Sequence, residues 1–227
     1  MTVYRLPPEP VFPPAEEAEP DGLLAVGGDM SPQRLVNAYA RGIFPWFSEE
    51  DDIYWFSPDP RLLLFPDQFR CSNSLARVMK SGRFDVRFDT SFREVMEQCA
   101  KVPRTGQEGT WISPGFIEAY CTLHEAGLAH SVETWCDGKL AGGLYGISLG
   151  SAFFGESMFF TVRDASKTAL FHLAQQARIW NFLFIDCQVE TPHLLALGAE
   201  LIPRKIYLQL LEQALTKETI KRKWDAG

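Results

Sequence analysis

The 227-residue sequence lacks the features that mark several large classes of protein. Its five cysteines are scattered and form no C-x-x-C pair, so the sequence indicates neither a zinc site nor a disulfide framework. No apolar run approaches the roughly 20 residues of a membrane-spanning helix. The N-terminus is proline-rich and acidic, which is unlike a signal peptide. We therefore expect a cytoplasmic protein with free thiols and no membrane contact.

Catalytic signatures are missing as well. There is no G-x-S-x-G nucleophile elbow in the sequence. The four histidines are dispersed without the spacing of metal ligands. Any chemistry would therefore proceed by direct attack of one substrate group on another, without a covalent enzyme intermediate.

Charge is distributed unevenly along the chain. The net charge of −7 argues against a general nucleic-acid binder. Residues 61–104 nevertheless contain nine basic and five acidic residues, a local charge of +4. The sequence therefore places one basic segment inside an acidic protein.

Proline and glycine turns divide the chain into two parts. Residues 1–22 contain six prolines and predict an extended arm outside the core. A short apolar strand follows, and then a helix that begins at Ser31-Pro32. The turn at residues 57–60 marks a boundary. We predict a small N-terminal α/β domain over residues 1–60 and a second domain over residues 61–227.

The second domain is predicted to be α+β. Residues 129–136 and 139–148 flank Asp137-Gly138, which is a strong signal for a β-hairpin. Three further segments continue the antiparallel meander and add one crossover: a strand over 152–160, a helix over 167–180 and a strand over 182–189. This order places the last strand beside its predecessors.

That last strand carries the clearest signal for chemistry. Alternation assigns an apolar set to one face, which we expect to be buried, and a set that ends in polar residues to the other. The first set is Leu183, Ile185, Cys187 and Val189, and the second is Phe182, Phe184, Asp186 and Gln188. A carboxylate is expensive to bury without a partner or a task. We therefore expect Asp186 and Gln188 to face a cleft; the alternative is a strand whose polar end reaches solvent.

The preceding strand carries a second carboxylate, Glu156. Alternation places Phe154, Glu156 and Met158 on one face of this strand. If the two strands are neighbours, Glu156 converges with Asp186 and Gln188 at a cleft with apolar walls, the usual form of a small-ligand site. The alternative is an exposed glutamate on a strand.

Six blocks of the sequence carry a resemblance to a known family. They are GIFPWF at 42–47, WFSPDPR at 55–61, GTWI at 109–112, GESMF at 155–159, ASKTAL at 165–170 and IDCQ at 185–188. These blocks look like the signatures of bacterial leucyl/phenylalanyl-tRNA–protein transferase. The resemblance runs from about Phe12 to Tyr207, which is nearly the whole chain.

The resemblance implies transfer of leucine or phenylalanine, and less readily methionine, from charged tRNA to proteins that begin with Arg or Lys. This transfer would mark the acceptor for degradation through the N-end rule pathway. The resemblance also implies a C-terminal domain similar to the N-acetyltransferase (GNAT-like) fold, with no metal or added cofactor. The family's proposed catalytic residues correspond to Asp186 and Gln188, with Glu156 in the same active site. Leu173 departs from the pattern, because an aromatic residue is expected there.

The residue types fit this role. Aminoacyl-tRNA is an activated ester, so the enzyme chiefly needs to align it with an amine. Asp186 would orient or deprotonate that amine, and Gln188 would hydrogen-bond the carboxylate or the substrate.

Three further sets of residues are assigned to substrate binding. An aliphatic pocket for the donor side chain is predicted from Leu144, Phe154 and Met158. Two tryptophans are candidates to stack on the terminal adenosine, with ordinary core packing as the alternative: Trp46 and Trp111. The basic segment would hold the phosphates of the acceptor stem, with the candidates Arg77, Lys80 and Arg83.

Two other classes of function stay open. An acetyl-CoA-dependent N-acetyltransferase would share the fold but should carry a glycine-bearing loop that binds pyrophosphate before the long helix. Residues 161–166, TVRDAS, contain no glycine, which argues against this class. A non-catalytic tRNA-binding module would need the basic segment but not the cleft with Asp186, Gln188 and Glu156.

Overall fold

The fold is described from a computed structural model that covers residues 3–46, 52–102 and 110–225. Arg104 of the basic segment lies outside these residues, as do Phe47 and Gly109 of two motif blocks. Of the helices within these ranges, none has the length and apolar character needed to cross a membrane.

A small sheet forms from the first part of the described chain. Its strands are β1 (Tyr4–Arg5), β2 (Leu23–Val26), β3 (Phe44–Pro45) and β4 (Tyr54–Phe56). They lie in the order β1-β2-β4-β3, with β1 parallel to β2 and the other pairs antiparallel. Helix α1 (Pro32–Tyr39) begins as predicted, because the Ser31 hydroxyl accepts a hydrogen bond from the Arg34 N–H.

A larger sheet forms after residue 60. Its strands are β5 (Arg61–Leu64), β6 (Asp85–Phe88), β7 (Ala129–Cys136), β8 (Lys139–Leu149), β9 (Ala152–Phe160), β10 (Phe184–Gln188) and β11 (Glu200–Ile202). Their order is β11-β5-β10-β9-β8-β7-β6, and β9 and β10 are parallel while the other pairs are antiparallel. The predicted α+β class is confirmed, as is the crossover that places β10 beside β9.

Six more helices pack around this sheet in the described residues. They are α2 (Asn73–Lys80), α3 (Phe92–Ala100), α4 (Pro114–Glu125), α5 (Ala165–Ile179), α6 (Pro192–Ala196) and α7 (Arg204–Leu215). Two short 3₁₀ turns cover Ala15–Glu17 and Pro66–Gln68.

The predicted hairpin between β7 and β8 is confirmed. Asp137 and Gly138 both adopt left-handed backbone angles, φ 51° and 73°. These angles match the twist of the flanking strands, and they are tolerated best by aspartate, asparagine and glycine. The short strand β11 was not predicted, because its three residues carry too little alternation to detect.

The prediction that residues 1–22 lie outside the core is wrong. Strand β1 pairs with β2, and Leu6 and Ala15 are buried. The arm is held because the buried Arg34 donates hydrogen bonds to the carbonyl oxygens of Pro7 and Pro8, at 2.9 and 2.8 Å. Prolines cannot donate to a sheet, but their carbonyl oxygens still accept.

Buried side chains cover both faces of the larger sheet. One cluster joins the two sheets and includes Tyr39, Trp55, Phe154 and Phe184. A second cluster covers the opposite face, beneath α5. The domain boundary at residue 60 stays a prediction.

Candidate active site

A cavity of about 430 Å³ lies where β8, β9 and β10 meet α5, α6 and the segment around β3. Most of its walls are apolar, and they include Phe44, Leu170 and Ile185. A few polar side chains reach into it, among them Glu156 and Gln188. This combination is the usual form of a site for a small ligand or for one end of a larger one.

Glu156 provides the carboxylate of the cavity, and a β-bulge aims it there. The ladder pairs Tyr145 with Ser157 and Gly146 with Gly155, which leaves Glu156 as the extra residue of β9. Only glycine fits at position 146, because a Cβ there would lie 2.1 Å from a carbonyl oxygen of β9. The bulge therefore depends on a close approach of two backbones.

Two tyrosine hydroxyls hold the Glu156 carboxylate. Tyr39 at the end of α1 donates to Oε1 at 2.6 Å, and Tyr120 of α4 donates to Oε2 at 3.2 Å. Burial raises the pKa of the Glu156 carboxyl to about 7, and the two hydrogen bonds offset only part of this rise. Glu156 is therefore a much better proton acceptor near neutral pH than an ordinary glutamate.

Sequence reasoning missed Tyr39 and Tyr120 as site residues. Both lie on core-facing stripes of their helices and are fully buried. The signal in the sequence that could have identified them is that tyrosine, unlike phenylalanine, carries a hydroxyl group, and a buried tyrosine hydroxyl usually has a hydrogen-bond partner. Two such tyrosines predict a buried acceptor between them.

Asp186 does not face the cavity, so the prediction that it does is wrong. Its carboxylate is fully buried on the other face of β10. Arg61 donates two parallel hydrogen bonds to it, each 2.8 Å long, and the Tyr207 hydroxyl donates a third at 2.8 Å. The carboxylate thus has a buried cation as its partner, 125 residues earlier in the chain.

Arg61 is therefore not available to bind phosphate. The prediction that the whole basic segment 61–104 contacts the tRNA backbone is wrong for this residue. Its side chain is fully buried, with the guanidinium 4.7 Å from the ring centres of both Phe44 and Tyr207. Its Nη1 donates to the Gly42 carbonyl oxygen at 3.2 Å. Arg61 therefore joins the β3 segment to β10 and α7.

Gln188 reaches the cavity through an unusual backbone conformation. Its φ of 57° is left-handed, which costs a non-glycine residue on the order of 1–3 kcal/mol. The Gln188 N–H donates to Asp186 Oδ1 at 2.9 Å, which supports this conformation. Its side-chain Nε2 is buried and has no hydrogen-bond partner in the part of the chain that the structure describes. The amide is therefore free to donate to a substrate.

Cys187 lies on the same face of β10 as Ile185, as predicted, and packs against the same buried cluster; that face also lines the cavity, so the prediction that Cys187 points away from the site is wrong. The ladder pairs Asp186 with Leu63 and Gln188 with Leu62, so Cys187 is the extra residue of a second bulge. Burial, reinforced by the nearby Asp186 charge, raises the pKa of its thiol. The thiol therefore stays protonated and is a poor nucleophile.

The apolar wall of the cavity matches two of the three residues predicted for a donor pocket. Leu144 and Met158 line the cavity. Phe154 does not, because the bulge at Glu156 reverses the alternation; its ring is buried on the opposite face against Tyr39, 5.2 Å between ring centres. Phe153 takes the place in the wall that was predicted for Phe154.

Both predicted tryptophans lie at the cavity. Trp46 is 43% exposed and packs against Phe56, with ring centres 5.7 Å apart. Trp111 is buried and packs edge-on against Phe116. Leu173, which departs from the motif, forms part of the wall. An exposed indole at a cavity mouth is a suitable stacking surface for a base.

One group of described residues could hold a metal ion, and it lies away from the cavity. Asp89, His124 and His130 bring ligand atoms within 4.8 Å of one another. Each ring's Nδ1 already has a partner, since His124 lies 2.8 Å from the Ala129 carbonyl oxygen and His130 lies 2.8 Å from Asp89 Oδ2. Hydrogen bonds within the protein account for this arrangement.

Comparison with known proteins gives the family. The family model described as leucyl/phenylalanyl-tRNA protein transferase matches residues 63–212, and the model for the N-terminal domain of that family matches residues 28–59. The chain belongs to the leucyl/phenylalanyl-tRNA–protein transferase family. The predicted class of enzyme, an aminoacyltransferase, is confirmed.

Curated members of the family match over the whole chain. A leucyl/phenylalanyl-tRNA–protein transferase from Myxococcus xanthus is 54% identical over 100% of this chain and 98% of its own length. The proteins of the same name from Desulfatibacillum aliphaticivorans and Chromobacterium violaceum are 53% and 50% identical, over 99% and 97% of this chain and 96% and 95% of their own lengths.

Solved structures match at lower similarity. L-PGS from Bacillus licheniformis has a TM-score of 0.41 at 9% identity, over 74% of this chain and 54% of that one. A ribosomal-protein-alanine N-acetyltransferase from Brucella melitensis, of the fold class implied by the resemblance, has a TM-score of 0.35 at 14% identity, over 63% and 94%. The family assignment rests on the sequence matches alone.

The family name implies a tRNA substrate, and the predicted phosphate-binding residues have suitable surroundings. Arg77 and Lys80 on α2 and Arg83 after it are exposed. Within the described ranges none of the three forms an ion pair with a carboxylate, although Arg77 Nε donates to the Asn73 carbonyl oxygen at 3.3 Å. Their charges are therefore available to a polyanion.

Proposed function

We propose that this protein transfers leucine or phenylalanine, and less readily methionine, from aminoacyl-tRNA to the N-terminal amine of proteins that begin with Arg or Lys. The product would then enter degradation by the N-end rule pathway. Leucine and phenylalanine come from the names of the relatives, and methionine, the acceptor and the pathway come from the sequence resemblance. The observation that carries the chemistry is an apolar cavity lined both by the Glu156 carboxyl, whose pKa is about 7, and by the Gln188 amide, which has no hydrogen-bond partner among the described residues.

The reaction is direct aminolysis of an ester. The acceptor amine attacks the ester carbonyl carbon, the bond from that carbon to the 3′-oxygen of the tRNA breaks, and a peptide bond forms. Glu156 accepts the proton that the amine loses and returns it to the departing 3′-oxygen. No cofactor is needed, because the ester is already activated and alignment supplies much of the rate.

Gln188 is proposed to stabilise the negative charge that develops on the carbonyl oxygen. Its buried Nε2 lacks a partner in the described part of the chain and borders the same cavity as Glu156. A fixed donor in a site with little water is worth more than the same donor in solution. Asp186 then acts as a positioning residue, since it holds the Gln188 N–H and does not line the cavity.

The remaining predicted residues are assigned to binding. Leu144 and Met158, with Phe153, would receive the donor side chain, and Trp46 and Trp111 would stack on the terminal adenosine. Arg77, Lys80 and Arg83 would contact phosphates. A cytoplasmic location stays a prediction.

One assay tests the proposed function against its alternatives. The protein is incubated with labelled Leu-tRNA and a peptide that begins with Arg, and in parallel with the same peptide bearing an acetylated N-terminus. We expect label only on the free peptide. Acetylation of the free peptide from acetyl-CoA would favour an N-acetyltransferase, and tRNA binding without any transfer would favour a binding module.

A double charge reversal tests the binding of phosphate by α2. Arg77→Glu with Lys80→Glu is expected to raise the KM for Leu-tRNA. It should also make KM less sensitive to salt: the slope of log KM against log salt concentration should fall by up to about 0.9 for each phosphate that is no longer neutralised. The melting temperature should change little because both side chains are exposed. Lys139→Glu with Lys205→Glu is the matched control, with the same charge change outside the segment. An unchanged KM at low and high salt would remove Arg77 and Lys80 from the tRNA footprint.

A second substitution tests the donor pocket. Leu144→Ala or Met158→Ala is expected to weaken discrimination against Val-tRNA, because each methylene in such a pocket contributes about 1–3 kcal/mol. Leu149→Ala is a matched control on the same strand, buried but outside the cavity. The ratio of kcat/KM for Leu over Val donors is the measurement. If both cavity variants keep the wild-type ratio, the donor side chain binds elsewhere.

A further inference from the structure

The C-terminal segment after α7 inserts one large side chain into the protein. Trp224 is 1% exposed, although it lies only three residues from the end of the chain. Its ring stacks on His130 with ring centres 3.8 Å apart and planes 4° from parallel, and it packs against Trp180 at 4.7 Å. This position lies beyond the region matched by the family model, which ends at residue 212.

Trp224 lies directly behind the wall of the cavity. Its ring centre is 5.7 Å from that of Phe153, and Phe153 lines the cavity. Both rings belong to the buried cluster that contains the cavity residues Leu144 and Leu170. Phe153 therefore has the cavity on one side and Trp224 on another, so loss of Trp224 would leave space into which Phe153 can move.

The segment is fixed in place by a buried carboxylate. The backbone N–H of Trp224 donates to Asp89 Oδ2 at 2.7 Å, and the same oxygen lies 2.8 Å from His130 Nδ1. Closer to α7, the Gly150 N–H donates to the Thr219 hydroxyl at 2.8 Å. These hydrogen bonds give Trp224 one defined position relative to Phe153.

The stacked pair keeps two polar atoms buried without partners. Neither Trp224 Nε1 nor His130 Nε2 has a hydrogen-bond partner within the described ranges. Unpaired buried polar atoms oppose folding. A phenylalanine at position 224 would avoid the first of them, so stability alone does not explain a tryptophan here. The volume of the indole is the property that remains.

We propose that Trp224 is a positioning residue that sets the depth of the donor pocket by holding Phe153. The inference rests on the proposed function, in that the cavity receives the donor side chain. With Trp224 in place the pocket is shallow enough for its walls to contact a leucine side chain closely. Without it Phe153 moves back, and the deeper pocket favours the larger phenylalanine.

The test measures kcat/KM for Phe-tRNA and for Leu-tRNA in the full-length protein. Trp224→Ala is expected to raise the Phe/Leu ratio by about three- to tenfold, within the range that one or two methylenes contribute in an apolar pocket. Trp224→Phe, which keeps a smaller ring, should raise the ratio by less than Trp224→Ala does, because part of the volume behind Phe153 stays filled. Trp180→Ala is the matched control, because the ring of Trp180 packs in the same aromatic cluster against Phe182 and Trp224, whereas Trp224 is the ring that packs against Phe153.

The possible results separate the two proposals. A raised ratio in Trp224→Ala and not in Trp180→Ala, with an unchanged KM for the acceptor peptide, supports the positioning role. An unchanged ratio in Trp224→Ala, or an equal rise in Trp180→Ala, would overturn it while the proposed function stands. Absence of transfer by the wild-type protein would overturn the proposed function as well. If Trp224→Ala does not fold, Trp224→Leu takes its place under the same criteria.

Discussion

Substitution of Glu156 by glutamine is expected to slow aminoacyl transfer by about 100- to 10,000-fold. Glutamine keeps the shape of the side chain and can still accept a hydrogen bond from Tyr39, but it cannot take up the proton that the amine loses. The loss should appear in kcat, since the apolar walls that bind the donor are unchanged. Single-turnover transfer of labelled leucine to an Arg-initiated peptide is the measurement.

Glu133 offers a matched control for this substitution. It is also a buried glutamate whose pKa is raised by burial, and hydroxyl groups of Ser131 and Thr90 hydrogen-bond to it. It does not line the cavity. Glu133→Gln is therefore expected to keep transfer within a few-fold of wild type. Equal losses in both variants would indicate general damage and would contradict proton transfer by Glu156.

Loss of Arg61 is expected to inactivate the protein although Arg61 does not line the cavity. Arg61→Met leaves Asp186 buried without its cation, a change that costs about 3–5 kcal/mol of unfolding free energy. It also removes the group that orients Asp186, and with it the support for the left-handed Gln188 backbone. Arg61→Lys keeps the charge but not the two parallel hydrogen bonds, so an intermediate loss is expected.

A double-mutant cycle measures this coupling. Arg61→Met and Asp186→Asn should each lower both the unfolding free energy and the transfer rate, and the double variant should lose less stability than the sum of the two. Denaturant unfolding gives the first quantity and single-turnover transfer the second. Arg93→Met, which breaks the exposed pair with Glu118, should change neither by much. A stable, inactive Asp186→Asn beside an active Arg61→Met would instead make Asp186 a proton acceptor.

The elements of this fold were largely predictable from local sequence. The Asp137-Gly138 turn fixes the β7–β8 hairpin, and the Ser31-Pro32 pair begins α1. These signals lie within a few residues of the structure that they specify, so a single sequence contains them in full. Six of the predicted site residues also line the cavity: Trp46, Trp111, Leu144, Glu156, Met158 and Gln188.

The direction in which those residues point was not predictable, for three physical reasons. Alternation assigns faces only while a strand stays regular: the bulge in β9 reverses it after Gly155, and the bulge in β10 brings Gln188 to the face opposite Asp186. Alternation also does not say which face borders a cavity: Ile185 and Cys187 share one face of β10 as predicted, but that apolar face forms the cavity wall. The partner of a buried charge is also set by tertiary structure: Arg61 lies 125 residues before Asp186. A basic residue in a basic segment gave no sign that it would be the buried cation.

The pH dependence of kcat/KM for the acceptor peptide, in wild type and in Glu156→Gln, tests the central claim that Glu156 is the proton acceptor. Glu156 acts when ionised, so wild-type activity should rise with pH through the Glu156 pKa of about 7. It should rise again as the peptide amine loses its proton near pH 8. Below about pH 7 the carboxyl and the amine must both lose a proton, so the logarithm of kcat/KM should rise with a slope of about two against pH. In the glutamine variant only the peptide amine must lose a proton, so the slope should be about one. Profiles of the same shape in the two proteins would contradict the account.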